Sequence, residues 1–118
     1  MERMDAVAAL AALAQDSRLD VYRLLVQAGP AGMAAGEVAS KLGIAPNTLS
    51  FHFDRLRHAG LVSVARQGRS LIYAARYETM TNLLGYLTEN CCGGRPELCD
   101  PACPPAKPTR KRRKEAAK

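Results

Sequence analysis

The chain has 118 residues, of which 47% are hydrophobic and 5% aromatic, and its formal net charge is +6. This length favours a single domain, and no apolar run reaches the roughly 18 residues of a membrane span. The N-terminal segment lacks a basic leader with a cleavage site, and the four cysteines indicate thiol chemistry in a reducing cytoplasm. A multidomain enzyme, a membrane protein and a secreted disulfide scaffold are therefore not expected.

The positive charge is concentrated in two segments. Residues 107–118 hold seven Lys or Arg and one Glu, which leaves the first 106 residues neutral overall. Within those, residues 35–76 hold six basic and two acidic side chains. A local basic surplus is typical of a surface that meets nucleic-acid phosphates. The basic tail is equally well interpreted as a solvated, disordered run of charge.

Two N-terminal helices are predicted from the spacing of apolar residues. The first spans about residues 4–15, and the second begins at a capping Asp16 or Ser17 and stops at Gly29-Pro30. Their apolar faces consist of Val7, Leu10, Ala11 and Ala14 in the first helix, and of Val21, Leu24, Leu25 and Ala28 in the second.

A helix-turn-helix is predicted next. A short helix spans residues 35–42, Gly43 permits a tight turn, and a second helix begins at Pro46 and ends at Gly60. The residues expected to lock the two helices together are Val38, Leu42, Ile44, Leu49 and Phe53, and Leu56 extends the buried face. The exposed face, which fits a DNA major groove, is predicted to carry Asn47, Thr48, Ser50, Phe51, His52 and Arg55.

Beyond this motif the pattern changes to strands. Segments 61–67 and 70–76 predict a two-stranded hairpin around Gly68-Arg69, a wing whose Arg66, Gln67 and Arg69 are placed to contact DNA. A last helix is predicted over residues 78–89, with an apolar face of Met80, Leu83, Leu84 and Leu87. The fold class is thus mainly α with a β-hairpin wing, a winged helix-turn-helix. Residues 1–90 would form the DNA-binding and dimerisation domain, and residues 91–118 a cysteine-containing, flexible basic tail.

A body of about 90 residues is marginal alone. The apolar stripes on its first and last helices therefore favour a two-fold homodimer.

The segment LGIAPNTLSFHFDRLRHAGLVSVARQGRSLIYAA resembles the core of the ArsR/SmtB family of bacterial metal-responsive repressors. The segment LAQDSRLDVYRLL resembles the second-helix region of that family, so the resemblance covers roughly residues 10–90. It implies a cytoplasmic homodimer, joined through its first and last helices, that binds operator double-stranded DNA and is released by a metal or metalloid. Catalysis is not expected, because no nucleophile-base grouping, phosphate loop or carboxylate pair is apparent.

The effector sites known in this family imply where the inducer binds. The third-helix C-V-C motif has no counterpart in MAAGEVASKL, and the Asp and His pairs of the fifth-helix site are absent from YETMTNLLGYLTEN. The cysteines lie instead in ENCCGGRPELCDPAC, and the arsenic branch often carries such an adjacent pair after the last helix. Thiolates favour soft ions; arsenic(III) and antimony(III) take three sulfurs, whereas an adjacent pair suits zinc poorly. The predicted ligands for arsenite or antimonite are Cys91, Cys92 and Cys99, with Cys103 in reserve.

Other interpretations of the cysteines stay open. They would also suit a thiol redox sensor, or a repressor that responds to cadmium or lead. Methylated arsenic would need only the thiols of Cys91 and Cys92. A DNA-binding module whose tail recruits a partner is a further alternative.

Overall fold

The computed structural model describes residues 1–90 and residue 93. Its elements in chain order are α1 (Arg3–Leu13), α2 (Asp16–Ala28), β1 (Met33–Ala34), α3 (Ala35–Leu42), α4 (Pro46–His58), β2 (Val62–Gln67), β3 (Ser70–Ala75) and α5 (Tyr77–Leu87). The strands form an antiparallel sheet in the order β1-β3-β2. The predicted winged helix-turn-helix fold is confirmed. No helix within the described residues is long and apolar enough to cross a membrane.

The two N-terminal helices are confirmed, but α1 packs through an unexpected face. Its buried residues are Ala6, Ala9 and Ala12, whereas the predicted Val7 and Leu10 are exposed. Alanine lets the backbones of neighbouring helices approach closely, and α1 packs on α2 and α4. The larger apolar side chains of α1 therefore point away from the core of their own chain.

The start of α2 differs from the prediction as well. The cap is Gln15, whose side-chain oxygen accepts a hydrogen bond from the backbone N–H of Arg18 at 2.8 Å. The Nε of Arg18 donates in turn to the carbonyl of Ala12 at 2.6 Å, which ties the end of α1 to the start of α2. The core face of α2 consists of Val21, Tyr22 and Leu25, with Leu24 and Ala28 half-buried.

The helix-turn-helix forms at the predicted residues. Gly43 ends α3 in the left-handed conformation, with φ +65°, and Pro46 is the first residue of α4. Val38, Leu49 and Phe53 are almost fully buried between the helices, as expected, and Leu42 and Ile44 are half-buried. A glycine suits this turn because a positive φ costs it no Cβ clash. The packing holds α4 at a set position against α3.

The sheet has one strand more than predicted. β1 has two residues, and Met33 and Ala34 pair with Tyr73 and Ile72 of β3. The rings of Tyr73 and of Phe53 in α4 are stacked, with centroids 3.6 Å apart and planes at 3°. The wing is thereby attached to α4 through an aromatic contact in the core.

The chain divides into two units, residues 1–83 and residues 84–118. In the first unit, the start of α5 is joined to the end of α4 because the Thr79 hydroxyl donates to the carbonyl of Gly60 at 2.6 Å. Leu83 is the buried apolar residue of α5. In the second unit, the described part is residues 84–90 and 93, where Leu84 and Leu87 are exposed. The predicted domain boundary after residue 90 stays a prediction.

Candidate nucleic-acid interface

Helix α4 has one buried side and one side that faces solvent. Leu49, Phe53 and Leu56 are at most 2% exposed and anchor the buried side in the core. At about 100° per residue, Asn47 and Phe51 lie opposite them. The exposed residues of the helix also include Thr48, Ser50, Asp54, Arg55, Arg57 and His58. The structure therefore presents five of the six predicted contact residues of α4 together on one solvent-facing side.

The exposed side of α4 is partly ordered by its own contacts. The guanidinium of Arg55 lies over the ring of Phe51, 5.1 Å from the ring centroid. Arg57 and Asp54 form an ion pair of 3.5 Å, and the Nδ1 of His58 bonds the carbonyl of Asp54 at 2.7 Å. The Oδ1 of Asn47 accepts from the N–H of Thr48 at the start of the helix. Polar and cationic groups thus follow the whole length of this side.

His52 does not lie on the exposed side, and its predicted placement there is wrong. Only 8% of its surface is exposed, and its Nδ1 is buried without a hydrogen-bond partner among the described residues. The reason is helical spacing, since residue 52 lies about 40° around the helix from the buried Leu56, whereas Phe51 lies about 140° from it. His52 contributes to the packing of α4, whereas its role as a DNA contact stays a prediction.

The wing residues point in different directions. In β2, Val64 is opposite Tyr73 and Arg66 is opposite Leu71, so Arg66 shares the sheet face of the buried Tyr73. Gln67 is opposite Ser70 and lies on the other face, because side chains alternate along a strand. Gly68, with φ +63°, is the first of the two turn residues, and Arg69 occupies the tip beside it. Arg66, Gln67 and Arg69 are exposed, but they do not form one flat contact surface.

Comparison with known proteins identifies the fold and the family. Residues 13–65 match the model of a helix-turn-helix domain. The transcriptional regulator YceK of Bacillus subtilis is 38% identical over 77 residues, which are 64% of this chain and 76% of that protein. HlyU from Vibrio cholerae has a TM-score of 0.59 at 30% identity, covering 74% of this chain and 97% of that one. A second structure of it, described as reduced HlyU, has a TM-score of 0.56 at 29% identity and covers 71% and 88%.

An ArsR family transcriptional regulator, RHA00566, has a TM-score of 0.65 at 26% identity and covers 76% of this chain and 90% of its own. The chain belongs to the ArsR/SmtB family. It is therefore a transcriptional regulator of the helix-turn-helix type with DNA as its partner. In helix-turn-helix motifs generally the second helix lies in the major groove, and α4 is the second helix of this motif, with the hairpin as its wing.

Two further exposed residues lie on the solvent-facing side of α4 and are not among the predicted DNA contacts. Asp54 is exposed seven residues after Asn47 and three after Phe51, and Arg57 is paired with it. Helical spacing alone would have placed Asp54 on this side, since residues i, i+3, i+4 and i+7 share a face. The carboxylate of Asp54 holds Arg57 through the 3.5 Å ion pair, and a carboxylate is the group that accepts a hydrogen bond from a cytosine amine.

The predicted metalloid ligands Cys91, Cys92 and Cys99, and the reserve Cys103, lie outside the described residues. Within residues 1–90 and at residue 93, no three His, Cys, Asp or Glu side chains form a group that could hold a metal ion.

The charged tip of the wing gives a testable expectation for this ArsR/SmtB protein. Replacing Arg69 by alanine should reduce the slope of log Kobs against log salt concentration by about 1, because one phosphate contact and its counterion release are lost. Gln67→Ala is the matched control: it removes a neighbouring exposed side chain without a charge. Fluorescence anisotropy between about 50 and 200 mM salt measures both slopes. Equal slopes for wild type and Arg69→Ala would exclude a phosphate contact at the tip.

The burial of His52 predicts how the free energy of unfolding changes with pH. Burial, with a further contribution from the charge of Arg18 that Asp16 partly offsets, lowers the pKa of His52 below its ordinary value of 6.5. Between the folded pKa and about 6.5 the unfolded chain binds a proton that the folded chain does not, so stability falls as the pH falls through this window. Urea unfolding at several pH values should show a smaller loss of stability in acid for His52→Gln than for wild type. Identical pH dependence in the two proteins would contradict the expectation.

Proposed function

We propose that the protein is a bacterial cytoplasmic repressor that binds operator DNA as a homodimer and is released when arsenite or antimonite binds its C-terminal cysteines. The observation that carries the DNA-binding part is the two-sided character of α4. Its apolar side is held in the core by Leu49, Phe53 and Leu56, and its solvent side carries amide, hydroxyl, aromatic and guanidinium groups. Those groups match the hydrogen-bonding and methyl pattern of the major groove.

The exposed apolar side of α1 supports the homodimer. Met4, Val7 and Leu10 are all more than 40% exposed, whereas the alanines on the other side of the helix are buried. In the separate second unit, Leu84 and Leu87 of α5 are more than half exposed. A second copy of the chain would cover such side chains, since a two-fold interface uses the same patch on both subunits. A dimer would also place two recognition helices on half-sites about 34–36 Å apart.

The donor chemistry of the tail supports the choice of inducer. Cys91, Cys92 and Cys99 supply three sulfur donors with no histidine in the same segment. Three neutral thiols can condense with arsenite and release water, whereas zinc at such a site would use four deprotonated or imidazole ligands. Arsenic(III) and antimony(III) therefore fit this set of residues better than zinc does.

Release from DNA would follow from a coupling between the cysteine site and the DNA-binding surface. We infer that drawing Cys99 onto Cys91 and Cys92 changes the packing of the last helices in the dimer, and with it the separation of the recognition helices. A coupling of about 1–3 kcal/mol lowers operator affinity roughly 5- to 150-fold. Because both half-sites must be engaged together, a small change in separation is sufficient.

The test is operator binding by fluorescence anisotropy under reducing conditions, on a duplex first selected from a random library. Arsenite, antimonite, cadmium and zinc are titrated separately. We expect release by arsenite or antimonite in the wild type and in Cys103→Ser, and no release in the double variant Cys91→Ser/Cys92→Ser. Arsenite that leaves wild-type affinity unchanged would refute the inducer, and failure to select any duplex would refute the repressor itself.

A thiol redox switch is the second candidate, and one comparison favours it. A similar structure is described as the reduced form of HlyU, which distinguishes a redox state of that protein. Adjacent thiols such as Cys91 and Cys92 also suit reversible oxidation. Release from the operator by an oxidant, and its reversal by dithiothreitol, would support this candidate over a metalloid-responsive repressor if none of the titrated metals and metalloids causes release.

A further inference from the structure

We propose that Phe51 and Arg55 form one reading unit that recognises a thymine next to a guanine in each operator half-site. The inference rests on the proposed function, since it requires sequence-specific binding to duplex DNA. It assigns the base preference of the recognition helix to two side chains that contact each other.

Phe51 occupies the centre of the solvent-facing side of α4. The residue is 53% exposed, although a phenylalanine is normally buried. Around it lie polar or charged side chains, among them Asn47, Asp54 and Arg55. In the major groove the thymine methyl is the one apolar group on a base edge, so it is the natural partner of an exposed ring at this position.

Arg55 is held on that ring. Its guanidinium lies 5.1 Å from the centroid of Phe51, one helical turn further along α4. The nearby carboxylate of Asp54 is engaged by Arg57 at 3.5 Å, and no ion pair of Arg55 is present among the described residues. The donors of Arg55 are therefore available, while its position is already restrained by the contact with the ring. Guanine is the base that offers two acceptors, O6 and N7, to such a planar fork.

The spacing of the two groups indicates neighbouring base pairs. Successive bases along one strand are separated by about 3.4 Å, and the guanidinium-to-ring distance of 5.1 Å lies between one and two such steps. A ring against one base and a guanidinium at this distance from it thus meet adjacent base pairs rather than distant ones. The contact within the protein also means that loss of Phe51 removes the platform that orients Arg55.

The experiment uses the full-length protein under reducing conditions and a duplex selected from a random library by the wild type. We expect the selected half-site to contain an adjacent thymine and guanine. Replacing that thymine by deoxyuridine removes only the methyl group and should weaken wild-type binding about fourfold. Replacing that guanine by 7-deazaguanine removes N7 and should weaken it about fivefold or more.

The variants separate this reading unit from general DNA attraction. Phe51→Ala should lose the response to deoxyuridine and reduce the response to 7-deazaguanine, whereas Arg55→Lys keeps the charge and should lose only the guanine response. Arg57→Ala is the matched control, since it removes an ion-paired arginine from the same helix and should weaken binding without changing either response. All three residues are exposed, so thermal unfolding should show that the variants fold.

Two negative results are distinguishable. A wild type that selects a sequence but ignores both base changes at every thymine and guanine of the half-site overturns the reading unit alone. A wild type that selects no sequence overturns the proposed function together with it.

Discussion

Replacing Phe53 by alanine should lower the free energy of unfolding by about 3–5 kcal/mol, the usual cost of truncating a buried aromatic side chain. Phe53 is 1% exposed and its ring is stacked on Tyr73, so it joins α4 to the sheet that carries the wing. Small domains are stable by only about 5–15 kcal/mol in total. The variant is therefore expected to lose a large part of its stability, as measured by urea unfolding.

The same helix offers a matched control for this experiment. Phe51→Ala makes the identical substitution two residues earlier, at a side chain that is exposed. Surface changes of this kind usually stay within about 0.5 kcal/mol, so Phe51→Ala should remain close to wild type in stability. Equal destabilisation by the two substitutions would contradict the burial pattern of α4 and with it the placement of the recognition surface.

Replacing Leu10 by glutamate should convert the protein to a monomer and lower operator affinity about 100-fold or more. Leu10 is 42% exposed on the side of α1 that carries the larger apolar side chains. Two glutamates facing each other across a two-fold interface would repel and would have to lose their hydration. A monomer engages one half-site at a time, and the second contact, which is intramolecular in a dimer, is then lost.

The control for the dimer is Leu19→Glu in α2, where a leucine of almost the same exposure, 43%, receives the same charge. Sedimentation velocity gives the oligomeric state, and anisotropy with the selected duplex gives the affinity. We expect Leu19→Glu to sediment as the wild type does. A Leu10→Glu protein that still sediments with the wild type would show that α1 is not part of the interface.

Local sequence patterns predicted the structure correctly at positions where residues close in sequence determine the conformation. Pro46 begins α4, Gly43 takes a left-handed conformation that suits it, and the Gly68-Arg69 turn joins the two predicted strands. The apolar spacing of α4 correctly identified Leu49 and Phe53 as core residues. In these cases steric and capping preferences within a few residues decide the structure.

Other features depended on distant parts of the chain. β1 has only two residues, too few for any alternation to be visible, and it exists because Met33 and Ala34 pair with β3 some forty residues later. The cap of α2 is Gln15, although Asp16 and Ser17 are the better intrinsic candidates. The sequence predicts His52 on the exposed side of α4, whereas it is 8% exposed in the folded chain.

The sequence by itself determined the order of helices and strands, the helix-turn-helix, the hairpin and the resemblance to the ArsR/SmtB family, because periodicity, glycine and proline act over short distances. Only the tertiary structure decided which side of α1 is covered and that His52 of α4 is buried. In α1 the small alanines are buried and Val7 and Leu10 are exposed, since close helix packing selects small side chains over more hydrophobic ones. In α4 the same packing buries His52 and leaves Phe51 in solvent with Arg55 on its ring. In both helices the burial of a side chain depends on the space that the neighbouring elements leave, so hydrophobicity alone does not determine it.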